Sequence, residues 1–256
     1  MVLETTQILH FAYHVRVNRP QEKVGLGARW PVRGSGAGVC SPFRSKTRLM
    51  SKKPEITLHK GDLPDGLDLG KIVAIDTETM GLNPHRDPLC LAQLSSGDGS
   101  AHLVQFDRGS YNAPNMKALL VDPTVLKLFH FARFDVAVME KYLGVTCAPI
   151  YCTKIASKLV RTYTDRHGLK DLCRELAGVD LSKQQQSSDW GAGELTKAQL
   201  DYAASDVLYL HRCREVLNDM LAREGRTEMA QAAFDFLPMR AKLDLAGWPE
   251  IDIFSH

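Results

Sequence analysis

Lys71-Ile-Val-Ala-Ile-Asp-Thr-Glu-Thr-Met-Gly-Leu82 is the stretch that decides the fold of this chain. Ile72 to Ile75 is an unbroken apolar, mostly β-branched run, which predicts a strand buried on both faces. It ends abruptly in Asp76, Thr77 and Glu78, and Gly81 then turns the chain. Side chains at i and i+2 of a strand point the same way, so Asp76 and Glu78 project together at the mouth of a core strand. Like charges that close repel unless a proton or cation lies between them. A solvated strand end, or an aspartate capping a turn, would account for the pair equally well. More carboxylates converging from elsewhere would decide for a cation.

Outward from this strand, Glu55 to Leu58 reads as a short preceding strand, and Pro88–Ser95 and Ala101–Phe106 as a hairpin closed by Ser96-Gly-Asp-Gly-Ser100. The three core strands then form an antiparallel meander. Past Asn112-Ala-Pro-Asn115 the pattern alternates: a helix over Met116–Val121, a strand over Val125–Phe131, and a helix over Arg133–Leu143. A crossover helix implies parallel pairing with the central strand, so the expected sheet is mixed and flanked by helices, an α/β fold. Asp135 sits in the first turn of that helix. The helix dipole alone would justify it there, but the turn starts at the sheet end that carries Asp76 and Glu78.

Helices are also expected over 152–161 and 168–178. The polar loop Leu181–Gly193 after them carries Lys183, three glutamines and Trp190, residues suited to phosphate contact and base stacking. Thr196-Lys-Ala-Gln199 has the form of a capping box and should open one long helix reaching about Glu224. Its inward stripe runs back from Met220, Leu217, Cys213 and Leu210 to Asp206 and then Tyr202. A carboxylate on a buried stripe is costly without a cation or proton donor. The segment after Thr227 is expected to alternate helical and irregular character.

Asp76, Glu78, Asp135 and Asp206 therefore all have reason to converge. Oxygen-only ligands suit hard divalent ions, Mg²⁺ or Mn²⁺, in preference to zinc. Two such ions ~3.5–4 Å apart are a common arrangement for cleaving phosphodiesters. Tyr202 is placed to hold the attacking water, and its ordinary pKa near 10 favours positioning over a base role.

Composition narrows the partners. The formal net charge is +2 over 256 residues, but 1–49 carry eight Lys/Arg against two Glu, a net of +6, and the remainder carries −4. Nucleic-acid binding by the body must rest on local basic patches or bound metal. No apolar run reaches the roughly 18 residues of a membrane span. Six scattered cysteines without a CxxC pair read as reduced core residues, which implies a cytoplasmic protein. Residues 1–49 lack periodicity and are expected to be disordered. They read as a phosphate-gripping arm, a transit peptide, or sequence upstream of a true start at Met50, the last being favoured.

Asp76-x-Glu78 after an apolar strand, His130-x-x-x-x-Asp135 at a helix start and Tyr202-x-x-x-Asp206 in a late helix resemble, in order, the three motifs of the DEDD exonuclease superfamily, tyrosine-bearing branch. Gln199-Leu-Asp-Tyr-Ala-Ala-Ser-Asp-Val-Leu-Tyr-Leu210, with Gln186-Ser-Ser-Asp-Trp190 upstream, is similar to ribonuclease D. The resemblance spans about residues 55 to 220. It implies a ribonuclease H-like fold and two-metal removal of 3′-terminal nucleotides from single-stranded RNA ends, commonly tRNA precursors. It also implies metal ligation by Asp76, Glu78, Asp135 and Asp206, a water-orienting Tyr202, and a terminal-nucleotide pocket shaped by Met80, Leu82, His130 and Phe134. The expected organisation is a basic extension (1–49), an exonuclease domain (50–225) and a C-terminal tail packed back on it (226–256).

Two features depart from the family. Larger bacterial ribonucleases D carry helical RNA-binding domains after the nuclease, and none is expected within the 256 residues here, while Gly191-Ala-Gly-Glu194 stands where relatives often place an arginine. A DNA-directed exonuclease of the same superfamily would use the same metal site, because ribose and deoxyribose differ only in contacts to the 2′-OH. A non-catalytic RNA-binding protein on a decayed nuclease fold would be expected to have lost a carboxylate or the tyrosine, and all five residues are present.

Overall fold

The structure, a computed structural model, describes residues 53–256. The basic extension at 1–49 and the Met50 start lie outside the described residues. The described residues belong to one compact unit. Its centre is a six-stranded mixed sheet of order β1-β4-β3-β2-β5-β6. The strands are β1 (Glu55–Lys60), β2 (Ile72–Thr79), β3 (Leu89–Ser95), β4 (Ser100–Gln105), β5 (Leu126–Phe129) and β6 (Ile150–Cys152). The meander β2-β3-β4 is antiparallel as expected, and β5 joins β2 in parallel. β1 adds in parallel to β4 at one edge and β6 to β5 at the other.

β2 is therefore an inner strand, paired on both sides, and Val73, Ala74 and Ile75 have no exposed surface. β3 is buried along its whole length. Among the described residues, seven helices surround the sheet: α1 (Pro114–Val121), α2 (Ala132–Leu143), α3 (Thr153–Val160), α4 (Leu169–Leu176), α5 (Lys197–Leu208), α6 (Leu210–Arg223) and α7 (Thr227–Leu245). No described helix is long and apolar enough to cross a membrane. The five described cysteines are free and buried.

Three local expectations change. The strand expected over Val125–Phe131 ends at Phe129, because Phe131 takes a left-handed backbone (φ 71°) that turns the chain into α2. Cys152, expected to open a helix, belongs to the edge strand β6, and Thr153 begins the helix. The single helix expected from Thr196 to Glu224 is interrupted at Tyr209. α5 packs over β1 to β4, whereas α6 packs against α3, α4, α7 and β5, so the break redirects the chain. His211, just past it, is pinned: Nε2 lies 3.0 Å from the Ile72 carbonyl, and a Cβ on Gly97 would fall 2.6 Å from its ring.

In the segment after Thr227, Thr227–Leu245 is one continuous 19-residue helix that contains Pro238, and the irregular part is confined to 246–256. Its buried stripe is Ala230, Phe234, Leu237 and Ala241, and two of those four are alanines. A reading weighted towards large side chains misses such a stripe, yet small residues permit close packing against α2. The capping box at the head of α5 is complete, with Gln199 N–H donating to Thr196 Oγ1 and Thr196 N–H donating to Gln199 Oε1. Gln199 Nε2 also donates to the Asp189 carbonyl at 3.1 Å, tying the preceding loop to the helix start. Thr196→Ala is expected to cost about 1 kcal/mol, read as a lower urea midpoint with an unchanged m-value.

Candidate active site

The site is built at the end of β2. Asp76 and Glu78 lie on one face of the strand, and Asp206 of α5 comes to that face. The carboxylate oxygens of the three lie within 4.8 Å of one another. Thr77, between them, points to the other face. There its hydroxyl donates to Asp135 Oδ1 at 2.7 Å. Asp135 is buried in the first turn of α2 and stands outside the closest triad, although its charge still acts on Glu78. The four acids thus reach the end of one strand from both sides of the sheet.

Gln93 is the fully buried cross-strand partner of Asp76, and its Nε2 donates to Asp76 Oδ2 at 2.7 Å. It is the one amide in a strand whose only other polar residue is the terminal Ser95, a visible signal that reading β3 as plain core overlooks.

Burial dominates the electrostatics. It pushes Asp76 up to about 7 against the opposing hydrogen bonds from Thr77 and Gln93. Glu78 is pushed up to about 10 by burial and then by the charges of Asp76, Asp206 and Asp135. Asp135 and Asp206 are both raised well above the usual carboxylate range, by burial first and by Asp76 second. The Tyr202 phenol is also raised, by burial and then by Asp206, Glu78 and Asp76. Such a cluster holds protons at neutral pH unless cations replace them. An all-oxygen donor set this close fits hard divalent ions.

A cavity of about 680 Å³ opens over the cluster. Every sequence-predicted site residue lines it: Asp76, Glu78, Met80, Leu82, His130, Phe134, Asp135, Lys183, Trp190, Tyr202 and Asp206. Leu82 is 86% exposed, projected on the turn at Gly81, where a Cβ would collide with the Asp87 carboxylate. Met80 is also exposed, as is Lys183.

The stacking role expected for Trp190 needs correction. Trp190 is only 2% exposed, and its ring packs 6.0 Å from that of Tyr202, so it presents no free face to a base and instead buttresses the tyrosine. His130 is held by Thr153, Nδ1 to Oγ1 at 2.8 Å, while Thr153 Oγ1 donates to the Phe129 carbonyl at 3.0 Å. Burial pushes its pKa down to about 3, so the ring is neutral at physiological pH. Phe131, Lys154 and Lys170 also line the cavity and were not singled out from sequence. Each follows a junction whose position the sequence left one or two residues out.

A family model described as 3′-5′ exonuclease matches residues 64–222. The chain belongs to that family. Among curated relatives, ribonuclease D of Acidiphilium cryptum is 35% identical over 174 residues, which are 68% of this chain and 44% of that protein. The chain spans less than half the length of the first curated relatives it matches. Among solved structures, Brucella melitensis NrnC bound to pGG is 56% identical with a TM-score of 0.78, covering 80% of this chain and 100% of that one. The same protein with bound Mg²⁺ gives a TM-score of 0.76 at 56% identity, covering 79% and 99%. Escherichia coli RNase D, an exoribonuclease involved in structured RNA processing, is 28% identical with a TM-score of 0.59, covering 67% and 45%.

The raised carboxylates give a stability signature. Between the ordinary carboxylate range near pH 4 and the shifted values, the native metal-free chain binds more protons than the unfolded one, so stability falls as pH rises through that window. The Tm of metal-free protein is expected to drop between pH 5 and pH 8.5. Millimolar Mg²⁺ should restore it more at pH 8.5 than at pH 5, and Asp76→Asn should flatten the slope. Equal Mg²⁺ effects at both pH values would contradict the assignment of these acids as ligands.

Proposed function

We propose that the chain is a 3′-5′ exoribonuclease that hydrolyses short RNA, down to 5′-phosphorylated dinucleotides, with Asp76, Glu78, Asp135 and Asp206 holding two divalent ions, Mg²⁺ or Mn²⁺. The observation that carries this reading is the convergence of Asp76, Glu78 and Asp206 within 4.8 Å, with Tyr202 against Asp206. When bound, the ions would generate hydroxide and neutralise the leaving oxygen. The chain's own groups do the positioning. Tyr202, backed by Trp190, aims its phenol at the attacking water. Thr77 and Gln93 fix the orientation of Asp135 and Asp76. Met80 and Leu82 present apolar surface to the terminal nucleoside, and Lys183 faces the phosphate chain. The water adds to phosphorus and the bond to the O3′ of the preceding nucleotide breaks. A nucleoside 5′-monophosphate leaves, and the shortened chain keeps a new 3′-hydroxyl.

The preference for short substrates is supported by the similarity to NrnC, solved with pGG, which is 56% identical and matched over its whole length. Processing of tRNA 3′ ends is the second reading, supported by the likeness to E. coli RNase D. Comparing kcat/KM for 5′-phosphorylated diguanylate, a tRNA precursor with a 3′ trailer, and the matching deoxydinucleotide separates the readings. Preference for the ribodinucleotide is expected. Preference for the tRNA precursor would overturn the short-substrate reading, and equal use of the deoxydinucleotide the ribonuclease reading.

Asp76→Asn and Asp206→Asn are each expected to lower Mg²⁺-dependent hydrolysis by ~10³-fold or more with the fold intact by circular dichroism. Undiminished activity in either variant contradicts the two-metal site. Tyr202→Phe should lower kcat by roughly 10²-fold while KM changes little, as expected for a residue that orients water.

A further inference from the structure

Phe131 is the only non-glycine residue with positive φ among the described residues, at 71°. The turn from β5 into α2 explains the backbone, since Phe134 N–H closes it onto the Phe131 carbonyl at 3.2 Å. It does not explain the side chain. A left-handed residue with a Cβ is strained, and glycine or asparagine fills such positions at lower cost. Here a phenylalanine does so while 47% exposed, so core packing does not account for it. A residue that is both strained and exposed is not kept for stability, and such residues cluster at ligand sites.

The ring opens into the cavity that holds the carboxylates. Lys154, in the first turn of α3, places its ammonium 4.1 Å from the ring centroid and lines the same cavity. An aromatic face beside a cation matches the two halves of a nucleotide, base and phosphate. Its position completes the argument. Met80 and Leu82 follow β2, while Phe131 and Lys154 follow β5 and β6, farther along the sheet. All of these residues line one cavity with the carboxylates, so a dinucleotide whose 3′-terminal nucleoside rests on Met80 and Leu82 has Phe131 and Lys154 within the same cavity for its other nucleotide.

We propose that Phe131 and Lys154 form a nucleotide subsite, the ring stacking on the base 5′ to the scissile phosphate and the ammonium pairing with that nucleotide's phosphate. The proposal deepens the exoribonuclease reading and rests on it.

The test uses the full chain with Mg²⁺. Phe131→Gly and Phe131→Trp are compared with wild type on 5′-phosphorylated diguanylate and on its analogues abasic at the 5′ or the 3′ nucleoside, with Tm measured for each protein. Phe131→Gly should raise KM about tenfold, in the range of one base–aromatic stack, with kcat within about threefold and Tm unchanged or higher because strain is relieved. Phe131→Trp should restore KM. The 5′-abasic analogue should cost wild type the same factor and Phe131→Gly nothing further, while the 3′-abasic analogue costs both proteins equally. Unchanged KM with a lowered Tm in Phe131→Gly would make the ring structural and overturn the subsite. Non-additivity with the 3′ analogue instead would overturn its assignment to the 5′ nucleotide. If wild type hydrolyses no dinucleotide while it still shortens longer RNA, the dinucleotide subsite falls and the exonuclease reading stands. If it shortens no RNA, both fall.

Discussion

Mutual repulsion among four acids at one end of the sheet is the constraint around which the rest of the structure is arranged. Three of them bring oxygens within 4.8 Å, in surroundings where burial already disfavours charge. An unsupported strand end would splay to relieve this. β2 does not, because β3 pairs with it through Thr79, β5 pairs with the residues before the acids, and Val73 to Ile75 are fully buried. Gln93 and Thr77 add direct restraints on two of the carboxylates. The fold supplies the stiffness, and a divalent cation converts the repulsion into affinity.

The second tier of organisation holds the tyrosine. Tyr202 and Asp206 share one face of α5, whose start is fixed by the Thr196–Gln199 box. Gln199 also grips the backbone at Asp189, next to Trp190. Gln105 Nε2 donates to the Ala192 carbonyl at 2.9 Å, anchoring the same loop to β4. The loop that looked solvated and ready to stack on bases thus acts as a splint, with Trp190 pressed against the phenol it supports.

The mixed sheet, its meander and all four acids were legible in the sequence because each depends on a local period: continuous apolarity at 72–75, alternation around a turn, and helical spacing back from Leu210 to Asp206. What stayed hidden has non-local causes. The break at Tyr209 has no proline or glycine to announce it and follows from α5 and α6 meeting different surfaces. The burial of Trp190 depends on a loop folded over the sheet. Phe131 was absorbed into a strand because its left-handed backbone contradicts its residue type, and function is where local rules are most readily broken. The helical character after Thr227 was legible but the continuity of α7 was not, because half of its buried stripe is alanine.

One link ties the late part of the chain to the early chemistry. Arg133, two residues before Asp135, forks onto Asp244 of α7 at 2.6 and 2.8 Å, and Arg240 shares the same carboxylate. Tyr151 of β6 stacks against Phe234 of the same helix at 4.6 Å. The family model stops at residue 222, but the packed body does not, since α7 contacts α2, α3, α6 and β6. The first turn of α2, which carries Asp135, is clamped by a helix outside that model. The rigidity of this acid is thus set in part 111 residues away along the chain, so a change in α7 that touches no part of the cavity can still loosen the site.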